Sequence, residues 1–84
     1  MLPSMYAVWV KYIDNDLKYW LGEERHTIVV VPKCRRKHFS TPEEAEQANQ
    51  IYQATVGKGR VEYYEVIYIE VIEKELVCKR IKNN

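Results

Sequence analysis

Residues that interrupt secondary structure are scarce in this 84-residue sequence, which contains three glycines, three prolines and two cysteines. Because glycine and proline are so few, no stretch of the sequence resembles a flexible linker. The length also suits one domain, and we therefore expect a single domain over residues 1–84. Two cysteines are too few for the disulfide framework of a small secreted protein. The N-terminus lacks the basic segment of a signal peptide, and no uncharged apolar run approaches the roughly 18 residues of a membrane span. These absences predict a soluble, cytoplasmic protein.

Apolar and charged residues are both abundant, at 46% and 30% of the sequence, which is typical of a globular protein. The formal net charge of +1 conceals clusters of opposite sign. We call four cationic residues near the middle of the chain the basic block: Lys33, Arg35, Arg36 and Lys37. We call four carboxylates of the C-terminal third the acidic row: Glu62, Glu65, Glu70 and Glu73. Because such clusters steer an encounter with a complementary partner, both sets are candidate partner-binding residues.

Alternation of side-chain character predicts strands over 5–13, 17–21, 26–31 and 60–74, since each stretch is also rich in β-branched or aromatic residues. Asp14-Asn15-Asp16 predicts the turn of a first hairpin, and Gly22-Glu23-Glu24-Arg25 predicts the next turn. Residues 35–39 are expected to continue as an extended edge that leads to a helix. Residues 76–81 fit either a further strand or a terminal helix, because no turn residue separates them from the long strand.

The helix is predicted from its start signal, Thr41-Pro42-Glu43-Glu44, which makes a capping box with proline at the first helical position. Gly57 suits the end of the helix. Five residues at helical spacing predict the buried face: Ala45, Ala48, Ile51, Tyr52 and Thr55. The order β-β-β-α-β, with a possible further strand, predicts an α+β fold with one helix packed on one face of an antiparallel sheet of four to five strands. The other face and the edges are then free for a partner.

No catalytic constellation is recognisable in the sequence. Cys34 and His38 are four residues apart, which on a strand separates them by about 13 Å, too far for a nucleophile and its base. Together with His26 and Cys78 they could form a metal set, but they are scattered over three predicted elements and lack a C-x-x-C spacing. Gly57-Lys58-Gly59 follows a helix and is too short for a phosphate-binding loop. We therefore expect no enzymatic activity, no metal and no cofactor.

Three functions remain compatible with the sequence. Protein binding is favoured by the uncovered face, the open edges and the abundance of Tyr, Trp and Arg, which are enriched in binding hot spots. Direct nucleic-acid binding through residues 33–37 is the alternative, opposed by glutamates that repel phosphate. A homodimeric structural module is the third, and it is compatible with the first. Four aromatic residues are candidate partner contacts: Trp9, Trp20, Tyr64 and Tyr68.

The nine residues 37–45 read K-H-F-S-T-P-E-E-A, and they stand between Tyr19-Trp20-Leu21-Gly22 and Tyr64-Glu65-Val66. In this order, residues 6–72 resemble small phage and prophage proteins that run from a hairpin and a third strand into an F-x-T-x-E-E-A helix and a further strand. The basic insert around Arg35-Arg36 and the longer C-terminal strand depart from that pattern. The resemblance implies a role in the cytoplasm of a host cell as an inhibitor of host machinery, such as a CRISPR or other nucleic-acid-handling enzyme. It carries over no catalytic residue.

Overall fold

A computed structural model describes residues 5–57 and 59–81, so the expectations drawn from residues 1–4 and from Lys58 lie outside the described residues. The elements are β1 (Met5–Tyr12), β2 (Tyr19–Glu24), β3 (Thr27–Val31), a 3-10 turn (Lys33–Arg35), α1 (Pro42–Val56), β4 (Val61–Ile72) and β5 (Glu75–Arg80). The strands form one antiparallel sheet in the order β3-β2-β1-β4-β5, and α1 packs on one of its faces. This architecture confirms the predicted α+β fold.

Two turns differ from the sequence analysis, since one lies at the end of its predicted range and the other was not predicted, and both use left-handed residues other than glycine. The turn between β2 and β3 lies at Arg25 and His26, with φ of 49° and 65°, so Gly22 lies inside β2. The turn between β4 and β5 lies at Glu73 and Lys74, with φ of 50° and 68°. Positive φ at both central residues is typical of two-residue hairpin turns. The segment after the second turn is therefore a strand, β5, which decides between the strand and the helix that the sequence left open.

The start of α1 confirms the predicted capping box. The Glu44 amide donates to Thr41 Oγ1 at 3.1 Å, and the Glu44 carboxylate accepts from the Ser40 amide at 3.2 Å. Gly57 follows the helix with a φ of 102°, in the region that favours glycine. Local sequence alone therefore determines where this helix begins and ends.

The buried face of α1 differs in part from the prediction. Three predicted residues are buried against the sheet: Ala45, Ala48 and Tyr52. The prediction was wrong for Ile51, which is 51% exposed, and for Thr55, which is also exposed. Asn49 takes a place on the buried face at 2% exposure, and its side chain accepts a hydrogen bond from Gln53 Nε2 at 3.1 Å. This bond reduces the cost of burying a polar group in the helix–sheet interface.

The main core lies between α1 and one face of the sheet. Seven buried residues form it: Val8, Val10, Leu21, Phe39, Ala45, Ala48 and Tyr52. At its margin the hydroxyls of Tyr12 and Tyr52 share a hydrogen bond, which satisfies two polar groups that would otherwise be left unpaired. Burial, together with this hydrogen bond, raises the pKa of Tyr52.

The chain between the 3-10 turn and α1 lies between β1 and β2 and forms backbone hydrogen bonds with both. β1 and β2 pair directly at only two positions and then diverge. Segment 36–39 fills the gap, because the Lys37 amide donates to the Leu21 carbonyl at 3.0 Å and Phe39 exchanges two backbone hydrogen bonds with Tyr6, at 2.7 and 2.9 Å. Of the residues predicted as an extended edge, 36–39 are therefore an interior segment of the sheet, whereas Arg35 belongs to the 3-10 turn before it.

Gly22 is the position where this crossing is tightest. A Cβ at Gly22 would lie 2.6 and 2.7 Å from the two Cγ atoms of Val31 and 3.2 Å from the Arg35 carbonyl oxygen. We expect Gly22→Ala to lower the free energy of unfolding by about 1–3 kcal/mol, the usual cost of overpacking. Urea denaturation measures this change. Adding Val31→Ala should recover part of the loss, so strictly additive effects of the two substitutions would contradict the contact.

Tyr52 gives the fold a pH dependence at the alkaline end. Its pKa in the folded chain is raised above the ordinary value of 10.0, so its contribution to stability is complete below about pH 10 and is lost as the pH rises further. We expect the free energy of unfolding of the wild type to fall more steeply above pH 10 than that of Tyr52→Phe, which has no proton to lose. Urea denaturation of both proteins between pH 8 and 11 tests this, and parallel curves would refute it.

Candidate functional site

The sheet face opposite α1 is closed at its centre. Four residues of β1 and β4 are buried there without any contribution from the helix: Ala7, Trp9, Ile67 and Ile69. Met5 and Trp20 pack against them. A second small core therefore occupies the middle of the face that the sequence analysis expected to be free for a partner.

Arg36 of the basic block covers part of this second core. Its guanidinium lies over the Trp20 ring, 4.8 Å from the centroid, and Nη1 donates to the Lys33 carbonyl at 3.0 Å. Nη2 is 3.8 Å from Cys78 Sγ on β5, and Nε is buried with no hydrogen-bond partner among residues 5–57 and 59–81. Arg36 thus binds to its own chain and contributes to the packing of this face.

The rest of the basic block is divided between internal contacts and solvent. Lys37 Nζ lies 2.9 Å from Glu23 Oε2, and this hydrogen bond lowers the pKa of the Glu23 carboxyl. Lys33 and Arg35 are exposed on the 3-10 turn. Arg36 and Lys37 therefore have partners within the chain, whereas Lys33 and Arg35 are left to solvent.

The acidic row is neutralised by cations of neighbouring strands. Three of its members form ion pairs: Glu62 with Lys11, Glu65 with Arg80 at 3.2 Å, and Glu70 with Lys79 at 2.6 Å. The hydrogen bond from Lys11 to Glu62 raises the pKa of that lysine. Glu73, the fourth member, lies in the turn between β4 and β5. The row therefore does not present four free negative charges to a partner.

The four candidate aromatic residues lie on opposite faces of the sheet. Trp9 and Trp20 are direct cross-strand partners on the face opposite α1. Tyr64 and Tyr68 lie on the helix side of β4, where Tyr68 packs against Tyr6 with ring centroids 5.6 Å apart. Trp9 is buried at 6% exposure whereas Tyr64 is 36% exposed, so the accessible aromatic surface lies along β4.

β4 is twice as long as β5, with 12 residues against six, and half of β4 extends beyond its neighbour. β5 pairs with β4 only from Ile67 to Ile72. In the described part of the chain, residues 61–66 have no strand partner on the side away from β1. An edge of this kind offers backbone donors and acceptors to another extended chain.

The alternation of backbone direction identifies the residue that presents its peptide groups at this edge. Tyr6 directs both its N–H and its C=O to Phe39, on the β2 side of β1. Because the direction alternates along a strand, Trp9 directs its groups to β4, where its partner is Glu65. Glu65 therefore bonds to β1, whereas Tyr64, and likewise Val66 next to the end of β5, point their N–H and C=O away from β1.

A groove of about 1190 Å³ runs along this free edge. Residues of the helix and of both strands line it, among them Pro42, Glu46, Tyr63, Tyr64, Tyr68 and Arg80. The Tyr64 hydroxyl donates to Glu46 Oε2 at 2.9 Å, which joins strand to helix across the groove wall and raises the pKa of Tyr64. Tyr63 and Tyr64 are 51% and 36% exposed, so aromatic surface flanks the free backbone on both faces of the strand.

Sequence reasoning selected some of the groove residues and missed others. Four groove residues were candidates, namely Glu62, Glu65, Tyr64 and Tyr68, but Pro42 and Glu46 were not. A usable signal was present, because the predicted long strand over 60–74 greatly exceeds its predicted neighbour over 76–81. Two antiparallel neighbours of unequal length leave part of the longer one unpaired.

Three further features bear on the classes of function. In the part of the chain that the structure describes, no group of three or more His, Cys, Asp or Glu residues is placed to hold a metal ion. No described helix is long and apolar enough to cross a membrane. Cys34 and Cys78 are exposed free thiols.

Comparison with protein-family models, with curated proteins and with solved structures gives no match to this chain.

Two adjacent arginines provide a matched pair to test the structural role of Arg36. Arg36→Glu removes the contacts to Trp20 and Cys78 and places a carboxylate over the second core, so we expect a loss of about 1–3 kcal/mol in the free energy of unfolding. Arg35→Glu, with the same change of charge at an exposed position, should stay within about 0.5 kcal/mol of the wild type. Urea denaturation compares the two, and equal effects would contradict the internal role of Arg36.

Proposed function

We propose that this chain is a non-enzymatic protein-binding module that takes up an extended segment of a partner protein along the free half of β4. One observation carries the proposal: among the described residues, 61–66 pair with β1 alone and present the backbone of Tyr64 in a groove. In strand addition the main chain of the sheet supplies hydrogen bonds, and pockets for alternate side chains supply specificity. The free half of β4 offers an unpaired backbone for the hydrogen bonds and a groove for side chains.

The groove suits an extended chain in length and in chemistry. Six residues of strand span about 20 Å, the length of an ordinary strand pairing. Successive side chains of an added strand point to opposite faces, where they meet Tyr64 on the helix side and Tyr63 on the other. Tyrosine combines a large apolar surface with a polar hydroxyl and is enriched in binding hot spots.

The alternatives from the sequence draw less support from the geometry. Nucleic-acid binding through residues 33–37 requires cations that the fold uses internally, namely Arg36 over Trp20 and Lys37 with Glu23. The resemblance to phage inhibitors bears only on which protein is bound. That the bound protein is a host enzyme that handles nucleic acid stays a prediction.

Substituting proline or threonine for Tyr64 distinguishes the contribution of its backbone to binding from that of its side chain. Tyr64→Pro removes the outward N–H but keeps the bonds that Tyr63 and Glu65 make to β1, and proline is tolerated where the missing N–H faces solvent. Tyr64→Thr keeps the N–H and removes the ring. For decapeptides selected from a displayed random library against the wild type, we expect Tyr64→Pro to weaken binding by about tenfold or more and Tyr64→Thr to weaken it less.

Isothermal titration of each selected peptide against the three proteins provides the measurement, and circular dichroism shows whether the variants keep the fold. Peptides that bind the folded Tyr64→Pro variant as tightly as the wild type do not use the β4 edge and would overturn the proposal. A library that yields no binding peptide would overturn it as well.

A further inference from the structure

Charge is unevenly distributed along the free half of β4. Near its middle Glu65 is paired with Arg80, and farther along the sheet Lys79 is paired with Glu70. At its beginning Lys11 contacts both Glu62 and Asp16, the latter at 3.5 Å, so one cation is shared by two carboxylates. Glu62 therefore shares its cation partner with a second carboxylate at the beginning of the groove.

Glu46 adds to this charge from the helix side. Its carboxylate accepts from the Tyr64 hydroxyl, and no cation among residues 5–57 and 59–81 pairs with it. Glu46 and Glu62 both line the groove, one from α1 and one from β4. An extended segment bound at this edge therefore meets two carboxylates in the groove.

A second copy of this chain is a poor occupant for the same reason. Antiparallel pairing of two free halves places a twofold axis near Tyr63 and Tyr64, so that Glu46 and Glu62 of both copies gather around the axis. Like charges on neighbouring strands destabilise a pairing, and charged side chains are a common protection against edge-to-edge association. The charge of the groove favours a different chain over a copy of itself.

Aromatic rings lie beside these carboxylates. The Tyr63 ring is half exposed, and the Tyr64 ring lies on the opposite face next to Glu46. Lysine and arginine can lay their aliphatic stems on such rings while the charged group reaches a carboxylate, and the ring face also attracts the cation. A ring and a carboxylate are therefore neighbours at two places along the edge: Tyr64 contacts Glu46, and Glu62 directly precedes Tyr63 in β4.

Building on the proposed function, we infer that the bound segment is a basic strand. It carries Lys or Arg where it passes Glu46 and Glu62, and apolar or aromatic side chains at the positions that face Tyr68 and Pro42. The partner is thus a protein with an exposed, extended segment in which cationic and apolar residues are interspersed.

Selection with charge-swapped grooves tests this inference. The probe is a displayed library of random decapeptides, selected in parallel against the wild type and against Glu46→Lys/Glu62→Lys. We expect peptides selected on the wild type to be enriched about threefold in Lys and Arg over the unselected library, and those selected on the swapped groove to be enriched in Asp and Glu. Glu46→Gln/Glu62→Gln should lose the preference for basic peptides without gaining one for acidic peptides.

A matched control separates the groove from overall charge. Glu24→Lys/Glu73→Lys makes the same change in net charge at exposed turn-side positions outside the groove, and it should select the same basic peptides as the wild type. Loss of the basic preference in this control, or its persistence in the swapped groove, would overturn the inference. Circular dichroism confirms that each variant compared is folded.

The outcomes distinguish this inference from the function on which it rests. Selected peptides that depend on the Tyr64 backbone but show no basic enrichment leave strand addition intact and overturn the basic strand. Sedimentation equilibrium of the wild type alone should show a monomer. A dimer that dissociates in Tyr64→Pro would make a second copy the occupant and would also overturn the inference.

Discussion

The crossing of segment 36–39 between β1 and β2 is the constraint on which the rest of the structure depends. It requires the absent side chain of Gly22, and it places Phe39 in the main core and Arg36 on the opposite face. A single helix shields only one face of a sheet. Here the second face is closed by its own aromatic residues and by Arg36, so the accessible backbone of the sheet is found at its edges and not on its faces.

The edges are not equivalent, and the differences point to one of them. β3 is a short edge of five residues, and β5 carries charged side chains at Glu75, Lys79 and Arg80. Short and charged edge strands are the usual protections against unwanted pairing. The free half of β4 is different, because exposed tyrosines and a groove accompany its unpaired backbone. An unpaired strand edge is a template for pairing with another chain, and this supports the proposed function.

Local features of the fold were predictable, and features that depend on distant contacts were not. The start of α1 follows from Thr41 and Glu44, which are three residues apart, and the strands follow from alternation over adjacent residues. The turn at Glu73 and Lys74 escaped prediction because neither residue type is a common left-handed one. Arg36 reads as part of a solvated basic run, and only its contacts with residues of distant strands, Trp20 on β2 and Cys78 on β5, show otherwise. For the site, strand alternation predicts that Tyr64 lies on a strand. Its unpaired backbone could not be predicted, because it depends on where β5 ends.

Ion pairing explains why clusters of charge in the sequence do not show which charges stay unpaired at the surface of the fold. Individual surface ion pairs add little stability, typically about 0–1 kcal/mol. They nevertheless cancel the local field, and Arg80 and Lys79 do this for two members of the acidic row. Glu46 lines the groove and has no cation partner among the described residues, although it lies on α1 and outside the acidic row. The electrostatic character of the groove is therefore determined by which charges the sheet leaves unpaired, and this depends on strand register, not on composition.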